Sequence, residues 1–180
     1  EPEMIFTSNW GNDLTLLVKQ GKPMGMKAPI AAYFANDDVM VRGVSNDEAV
    51  IGTLAMEIYM LSIPTEENKT FVKNFHAATG HYPVGSIGKA YNGIMVWAQA
   101  MRKAGSTKTE DIINAWEGLE FNGPSGKWVM RACDHQAQVP YWGSKIVKDN
   151  PFFDHAYVKD AVMVPAKDVE VPCEETGCNM

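Results

Sequence analysis

Residues that could contact a ligand cluster at the ends of two short apolar runs. They are Asn9, Trp10, Gly11, Tyr33 and Phe34. An aromatic ring offers apolar contact and attracts a cation to its face. Asparagine donates and accepts hydrogen bonds, and glycine lets a ligand approach the backbone closely. Together they predict a small-molecule site. The alternatives are a Trp10 packed beneath a loop and ordinary turn chemistry at Asn9 and Gly11.

The local sequence predicts elements that would bring these residues to one crevice. Residues 4–11 predict a strand that ends in a glycine turn, residues 14–20 a helix capped by Asn12 or Asp13, and residues 28–34 a second strand. This strand–helix–strand order predicts a βαβ unit and an α/β fold. Ligands of such sheets bind outside the carboxyl ends of the strands, where both sets of candidate residues would lie.

The rest of the sequence predicts further helices and strands. Helices are predicted over residues 47–51, 65–79, 86–104 and 108–117, strands over 55–62, 127–131 and 141–148, and a turn over 121–126. Gly80 and Gly105 are the expected helix stops. The strands 127–131 and 141–148 are expected to pair with each other, and little regular structure is expected from Asp149 onward.

Composition and charge narrow the classes of protein. The 180 residues are 46% hydrophobic, which is enough to bury a substantial core. No run approaches the roughly 18 apolar residues that a membrane helix needs. The net charge is −6, and acidic and basic residues are mixed along the chain. We therefore expect no nucleic-acid surface.

The histidines and cysteines do not predict a metal or catalytic centre. His76 and His81 lie on either side of a helix stop, and His155 stands alone. The run Cys133–His135 contains ligand types, but structural zinc motifs use wider, paired spacings. The sequence holds no nucleophile elbow, phosphate loop or dinucleotide fingerprint. We expect no metal, no cofactor and no enzymatic activity.

A series of motifs, in a specific order, resembles one known family. The motifs are Met4–Gly11, Asn68–Phe75 with Thr79–Pro83, Ala90–Gly93 with Ala100–Ser106, Gly118–Gly126 and Asp134–Gln136. Over roughly residues 4–148 they resemble the C-terminal half of a type I periplasmic substrate-binding protein, of the branched-chain amino-acid (leucine, isoleucine, valine) class of ABC transporters. Each motif is weak alone, and the specificity lies in their order.

The resemblance implies an α/β fold of two Rossmann-like lobes, present here as a C-terminal fragment. Residues 1–63 would be the C-terminal part of lobe two, residues 64–142 the returning part of lobe one, and residues 143–180 the final crossover and tail. The chain would cross between lobes at Ile63-Pro64. Because it opens with Glu-Pro-Glu, we expect a fragment or processed chain of a periplasmic or extracytoplasmic protein, with the export signal in an absent N-terminal part.

The function implied is that of a solute-binding component of an ABC importer, with a membrane permease as its partner. The ligand would be a small amino-acid-like compound or an aromatic or aliphatic organic acid, bound in the cleft between lobes. The missing N-terminal half, or another copy, is expected to cover open sheet edges. The alternatives are a ligand-binding sensor domain of a receptor or regulator with the same fold, and a small α/β enzyme.

The resemblance also assigns roles to single residues. Trp10 falls on the position of an aromatic residue that covers the ligand. Ser86 falls on a pocket wall, with an ordinary helix N-cap as its alternative. Phe34 stands where amino-acid binders carry an acidic partner for the ligand's ammonium group. Asp37 or Asp38 could substitute for it; otherwise an organic acid fits better than leucine, because an unpaired buried ammonium is costly.

Three cysteines leave the disulfide pairing open. An exported protein would permit disulfides, and the pairs 173–178, 133–173 and 133–178 are all possible. Cys173 and Cys178 lie five residues apart in a turn-forming tail, which makes them the candidate local pair. The third cysteine, Cys133, would then be a small buried apolar residue or would pair within the missing half.

Overall fold

A five-stranded mixed sheet organises the first and last parts of the chain. The structure, a computed structural model, describes residues 2–44 and 48–178. Its strands and helices are β1 (Ile5–Thr7), α1 (Gly11–Gly21), β2 (Ile30–Ala32), α2 (Asp38–Val44), β3 (Leu54–Glu57), α3 (Glu66–Thr79), α4 (Gly85–Ala104), α5 (Thr109–Trp116), β4 (Glu120–Gly123), β5 (Gly126–Met130), β6 (Ala137–Gln138), β7 (Tyr141–Val147) and β8 (Tyr157–Val164). The first sheet has the order β1-β2-β3-β7-β8.

The predicted βαβ unit is confirmed. Strands β1, β2 and β3 are parallel, with Ile5 opposite Ile30. The prediction of Asn12 or Asp13 as the cap of α1 was wrong, because the helix begins earlier, with Trp10 at its N-cap position. Gly11 makes this early entry possible: its φ of +56° is one that glycine adopts without the strain that a side chain would bring.

The main core lies against the first sheet. All of β2 is buried, as expected for a parallel strand that is covered on both faces. Leu14 and Val18 of α1 and Met40 of α2 are completely buried against it. Phe71 of α3 joins the same core. Helices α1, α2 and α3 therefore contribute to one shared core.

A second, three-stranded antiparallel sheet, in the order β4-β5-β6, packs with α4 and α5 over a smaller core. The predicted turn over 121–126 was wrong for residues 121–123, which form part of β4, and for residue 126, which begins β5. The predicted pairing of 127–131 with 141–148 was also wrong, because β5 pairs with β4 and β6 while β7 pairs with β3 and β8. The tight turn at Ser125 favours the observed strand pairing. The Ser125 hydroxyl accepts a hydrogen bond from Trp128 Nε1, and the Ser125 carbonyl accepts one from Trp142 Nε1.

The crossover after β3 is fixed by one buried asparagine. The strand predicted over 55–62 stops at Glu57, and the chain then turns toward α3. Asn68 Nδ2 donates to the carbonyls of Leu61 at 2.9 Å and Ile63 at 2.8 Å. The helix stop predicted at Gly80 is confirmed, with φ +73° and its N–H donating to His76. The crossover is thus anchored to the first turn of α3.

The tail contains a strand that the sequence did not predict. Strand β8 pairs antiparallel with β7, with Tyr157 opposite Val147. Two charged residues, Lys159 and Asp160, interrupt its apolar residues, and the φ of Asp160 is +56°. The helix predicted over 47–51 is reduced to a 3₁₀ turn at Glu48–Val50, and Asp47 lies outside the described residues. Within the described residues, no helix is long and apolar enough to cross a membrane.

The disulfide joins Cys133 to Cys173, so the predicted local pair of Cys173 with Cys178 was wrong; Cys178 is free and exposed. The reason is a long-range one: the tail folds back onto the loop and strand that follow β5. Arg131 Nη1 donates to the Val171 carbonyl at 2.6 Å. A second contact, between Gln138 and Glu170, holds the same stretch in place.

We expect Asn68→Ala to lower the free energy of unfolding by about 2–4 kcal/mol, because two buried carbonyls lose their donor. Urea unfolding measures this change. The matched control is Asn74→Ala, an exposed asparagine of the same helix, which should change stability by less than about 0.5 kcal/mol. Equal effects of the two substitutions would contradict the assigned role of Asn68.

Peptide mapping without reduction tests the disulfide. We expect a cross-linked pair of peptides that contain Cys133 and Cys173, and alkylation of the Cys178 thiol in the folded protein. A Cys173–Cys178 peptide as the main product would contradict the structure.

Candidate functional site

The residues predicted to contact a ligand follow strands that end at one edge of the first sheet. Because β1, β2 and β3 are parallel, their carboxyl ends meet there, and the antiparallel β7 brings its first residue, Tyr141, to the same edge. The N–H of Tyr33 donates to the Thr7 carbonyl at 3.4 Å, which joins the ends of β1 and β2. Trp10 lies after β1 with 67% of its surface exposed. It is therefore not packed beneath a loop.

Three aromatic rings contact each other at the end of β2. The centroids of Tyr33 and Phe34 are 5.4 Å apart, and those of Tyr33 and Tyr141 are 5.7 Å apart, both in edge-to-face geometry. Burial, and then the hydrogen bond with Tyr141, raise the pKa of Tyr33 above its ordinary value. Its phenol therefore stays neutral at physiological pH and offers an apolar body with a polar tip.

A buried ion pair lies next to these rings. Glu57, the last residue of β3, has a side chain that is only 2% exposed, and its Oε1 is 2.7 Å from Nζ of Lys89, whose side chain is 25% exposed. The Ile58 N–H donates to the other carboxylate oxygen at 3.1 Å. Lys89 Nζ also lies 5.3 Å from the centroid of the Phe34 ring, a cation–π distance.

The environment of Glu57 works in two directions on its pKa. Burial raises the pKa of this carboxyl, because desolvation disfavours the charged form. The hydrogen bond and the charge of Lys89 lower it, as does the Ile58 N–H, while the negative charge of Asp37 raises it. The net effect is a raised pKa of Glu57, so the charged form of this carboxyl depends on the ammonium of Lys89.

Two glycines let α4 approach closely enough for Lys89 to reach the strand end. A β-carbon on Gly88 would lie 2.1 Å from Cδ1 of Tyr59, and one on Gly85 would lie 3.2 Å from the carbonyl oxygen of Asn36. Asn36 in turn donates from Nδ2 to the Tyr59 carbonyl at 2.9 Å. The first turn of α4 is therefore seated directly on the loops that follow β2 and β3.

The remaining candidate residues are placed less closely. Ser86 is exposed in the first turn of α4, whose N-cap is Val84, so the alternative of an N-cap serine was wrong. Asn9 is exposed, and its side chain accepts a hydrogen bond from the Thr7 hydroxyl. Gly11 is buried as the first residue of α1. Direct contacts thus join Tyr33 and Phe34, whereas Trp10 and Ser86 face solvent.

Sequence reasoning missed Glu57, Lys89 and Tyr141. A signal was present for the first two. Glu57 is the one charged residue between Leu54 and Ile63, and Lys89 is the one charged residue between Gly85 and Met101. A lone charge within each apolar segment, of opposite sign, indicates a buried pair, because an unpaired charge is rarely buried. Among the residues that the structure describes, no group of three or more histidine, cysteine, aspartate or glutamate side chains could hold a metal ion.

Comparison with known proteins identifies the family. A profile described as periplasmic binding protein matches residues 1–151. The chain belongs to the periplasmic binding protein family. A Leu/Ile/Val-binding protein homolog 4 of Brucella melitensis is 30% identical over 143 residues, which is 77% of this chain and 34% of that protein. The predicted resemblance to the Leu/Ile/Val class is thereby confirmed.

Solved structures of binding proteins share the fold. The leucine-, isoleucine-, valine-, threonine- and alanine-binding protein of Brucella ovis, in its closed conformation, superposes with a TM-score of 0.84 at 24% identity over 95% of this chain and 45% of that one. A solute-binding protein of an ABC transporter from Rhodopseudomonas palustris, in complex with 3,4-dihydroxybenzoic acid, gives 0.75 at 19% identity over 92% and 46%. The type I fold is therefore confirmed, and the chain spans between a third and a half of these relatives.

Removing the Lys89 ammonium is expected to make stability more dependent on pH. A raised folded-state pKa means that the contribution of Glu57 is full below its unfolded-state pKa and is lost as the pH rises through the folded-state pKa. Without Lys89, which lowers that pKa, the loss extends to higher pH. The free energy of unfolding of Lys89→Met should therefore fall more steeply than that of the wild type as the pH rises above the ordinary pKa of a glutamate carboxyl.

Urea unfolding at several pH values measures this slope. The double variant Lys89→Met/Glu57→Gln removes the titrating carboxyl and should show the same slope as the wild type or a flatter one. If the double variant kept the steep slope, a group other than Glu57 would be responsible.

Proposed function

We propose that this chain is part of the solute-binding component of an ABC importer, which binds a small amino-acid-like compound or an aromatic or aliphatic organic acid between two lobes. The observation that carries the proposal is the solvent-open edge of the first sheet. There a family member presents aromatic side chains from the ends of neighbouring strands, the place where α/β sheets bind ligands. A binding protein of this kind performs no chemistry on its ligand.

We assign the first sheet, with its α1 and α2 layer, to lobe two and the segment with α3, α4, α5 and the second sheet to the returning part of lobe one. This division corresponds to the proposed segments 1–63, 64–142 and 143–180, except that β7 joins the first sheet from Tyr141 onward. Asn9, Trp10, Gly11, Tyr33, Phe34 and Ser86 are the proposed ligand contacts. The crossover segment that Asn68 anchors would serve as one connection of the hinge between the lobes.

The exposed face of α4 supports a further lobe-one component. Ile94 and Trp97 are 63% and 43% exposed, although they lie in the middle of a long helix. Exposed apolar surface of this kind marks an interaction site. We propose that the part of its relatives that this chain does not span, expected to be the N-terminal half, covers this face, with another copy of the chain as the alternative.

The importer proposal also implies a location and a partner. Ligand binding would favour the closed arrangement of lobes, because only a ligand with different affinity for the two states shifts their balance. The closed form would dock on a membrane permease from the periplasmic or extracytoplasmic side. The disulfide is compatible with that side of the membrane, since disulfides persist in oxidising compartments.

Replacing Trp10 with alanine in the full-length protein is expected to weaken ligand binding by about tenfold or more, which corresponds to about 1.4 kcal/mol. The reason is that an exposed ring next to the strand end loses its contact with the ligand. Ligand is first found by a thermal-shift screen, because binding to the folded state alone raises the unfolding midpoint. Calorimetric titration then measures the affinity.

Phe6→Ala is the matched control for this substitution. Phe6 is as exposed as Trp10, at 65%, but lies within β1 rather than after it. Its replacement should leave affinity unchanged. Unchanged affinity in Trp10→Ala would remove Trp10 from the site, whereas equal losses in both variants would show a general effect of this segment.

A further inference from the structure

The ammonium of Lys89 lies between a buried carboxylate and an aromatic ring. It is 2.7 Å from Glu57 Oε1 and 5.3 Å from the centroid of the Phe34 ring. A lysine ammonium carries three N–H donors, and the Glu57 oxygen accepts one of them. Because a quarter of the side chain is exposed, the other donors can reach a group that enters from solvent.

From this geometry we infer that Lys89 is a specificity-determining residue of the ligand site. Its ammonium binds the carboxylate of an organic acid that has no ammonium group of its own, while the rings of Tyr33, Phe34 and Trp10 contact the apolar body of the acid. The inference rests on the proposed solute-binding function and narrows its ligand class.

The negative charges near the strand ends already have partners. Both oxygens of Glu57 accept hydrogen bonds, from Lys89 and from the Ile58 N–H. Asp38 pairs with Arg42 at 2.9 Å, and Asp37 accepts from the N–H of Val39 at 3.4 Å at the start of α2. The substitutes that the sequence suggested for an acidic residue at position 34 therefore each already make a contact within α2 or at its start.

An ammonium group on the ligand would meet the wrong charge at Phe34. The cation that already lies on the Phe34 ring is Lys89, so a second cation would repel it and would compete for the same face. A carboxylate at the same place gains a charge-assisted hydrogen bond, which is stronger than one between neutral groups. The 2.7 Å contact with Glu57, which is buried behind it, holds the ammonium of Lys89 in position.

Two pairs of ligands that each differ in one charged group test this inference on the full-length protein. Benzoate and benzamide share ring and shape, and 4-methylpentanoate is leucine without its amino group. Calorimetric titration with all four compounds gives two affinity ratios. The wild type is expected to favour benzoate over benzamide, and 4-methylpentanoate over leucine, each by about tenfold or more.

The variant for the test is Lys89→Met/Glu57→Gln, which removes both charges and leaves no unpaired carboxylate. Both ratios should fall to about one. Its matched control is Lys127→Met/Glu120→Gln, which removes an exposed pair with the same 2.7 Å separation from the second sheet and should keep both ratios. Lys89→Arg retains a cation and should retain the preference for acids. Thermal unfolding without ligand verifies that each variant is folded.

The outcomes separate this inference from the proposed function. Unchanged ratios in Lys89→Met/Glu57→Gln would overturn the role of Lys89 and reduce it to the ion pair that seats α4, with the importer function intact. Tighter binding of leucine than of 4-methylpentanoate by the wild type would overturn the ligand class, again with solute binding intact. Failure of all four compounds to bind would overturn the inference together with the ligand class of the proposed function.

Discussion

A carboxylate that is almost fully removed from water constrains much of this structure. The idealised cost of burying such a charge is large, and it is offset only by a well-placed cation and further hydrogen bonds. Glu57 obtains its cation from Lys89, on a helix that begins 28 residues later in the chain. That helix can come close enough only because Gly85 and Gly88 carry no side chain where it contacts Asn36 and Tyr59.

The same interaction ties the two parts of the chain together. Glu57 ends a strand of the first sheet, and Lys89 belongs to the segment that carries the second sheet. The Phe34 ring beneath the ammonium completes the contact, so the ion pair, the aromatic group and the crossover lie within one small region. The strand ends therefore present groups from both segments, as the proposed binding of a ligand between two lobes requires.

Local signals made much of the fold predictable, and long-range contacts account for the rest. The βαβ unit and the helix stop at Gly80 depend on residues close in sequence, and both were predicted. Strand β8 was missed because Lys159 and Asp160 interrupt its apolar residues and its pairing partner comes from a separate run. The hairpin of β4 and β5 was misassigned because glycines at its turn resemble those of a loop.

Part of the candidate site was likewise predictable from local signals, and part depends on long-range contacts. Tyr33 and Phe34 follow an apolar run directly, so their place at a strand end could be predicted. Glu57 and Lys89 lie 32 residues apart, and the lone charge in each apolar segment does not identify its partner until the fold brings the two together. The cysteine pairing failed similarly: proximity in sequence favoured Cys178, but the folded tail presents Cys173 to Cys133.

That disulfide gives the C-terminal part of the molecule a closed covalent ring. The two cysteines are 40 residues apart, and strands β6, β7 and β8 all lie within the loop that they close. A protease that cuts once within this loop leaves the two pieces joined, so the cut ends stay at high effective concentration. Strand β8, which forms an edge of the first sheet, would remain covalently attached after such a cut until the disulfide is reduced.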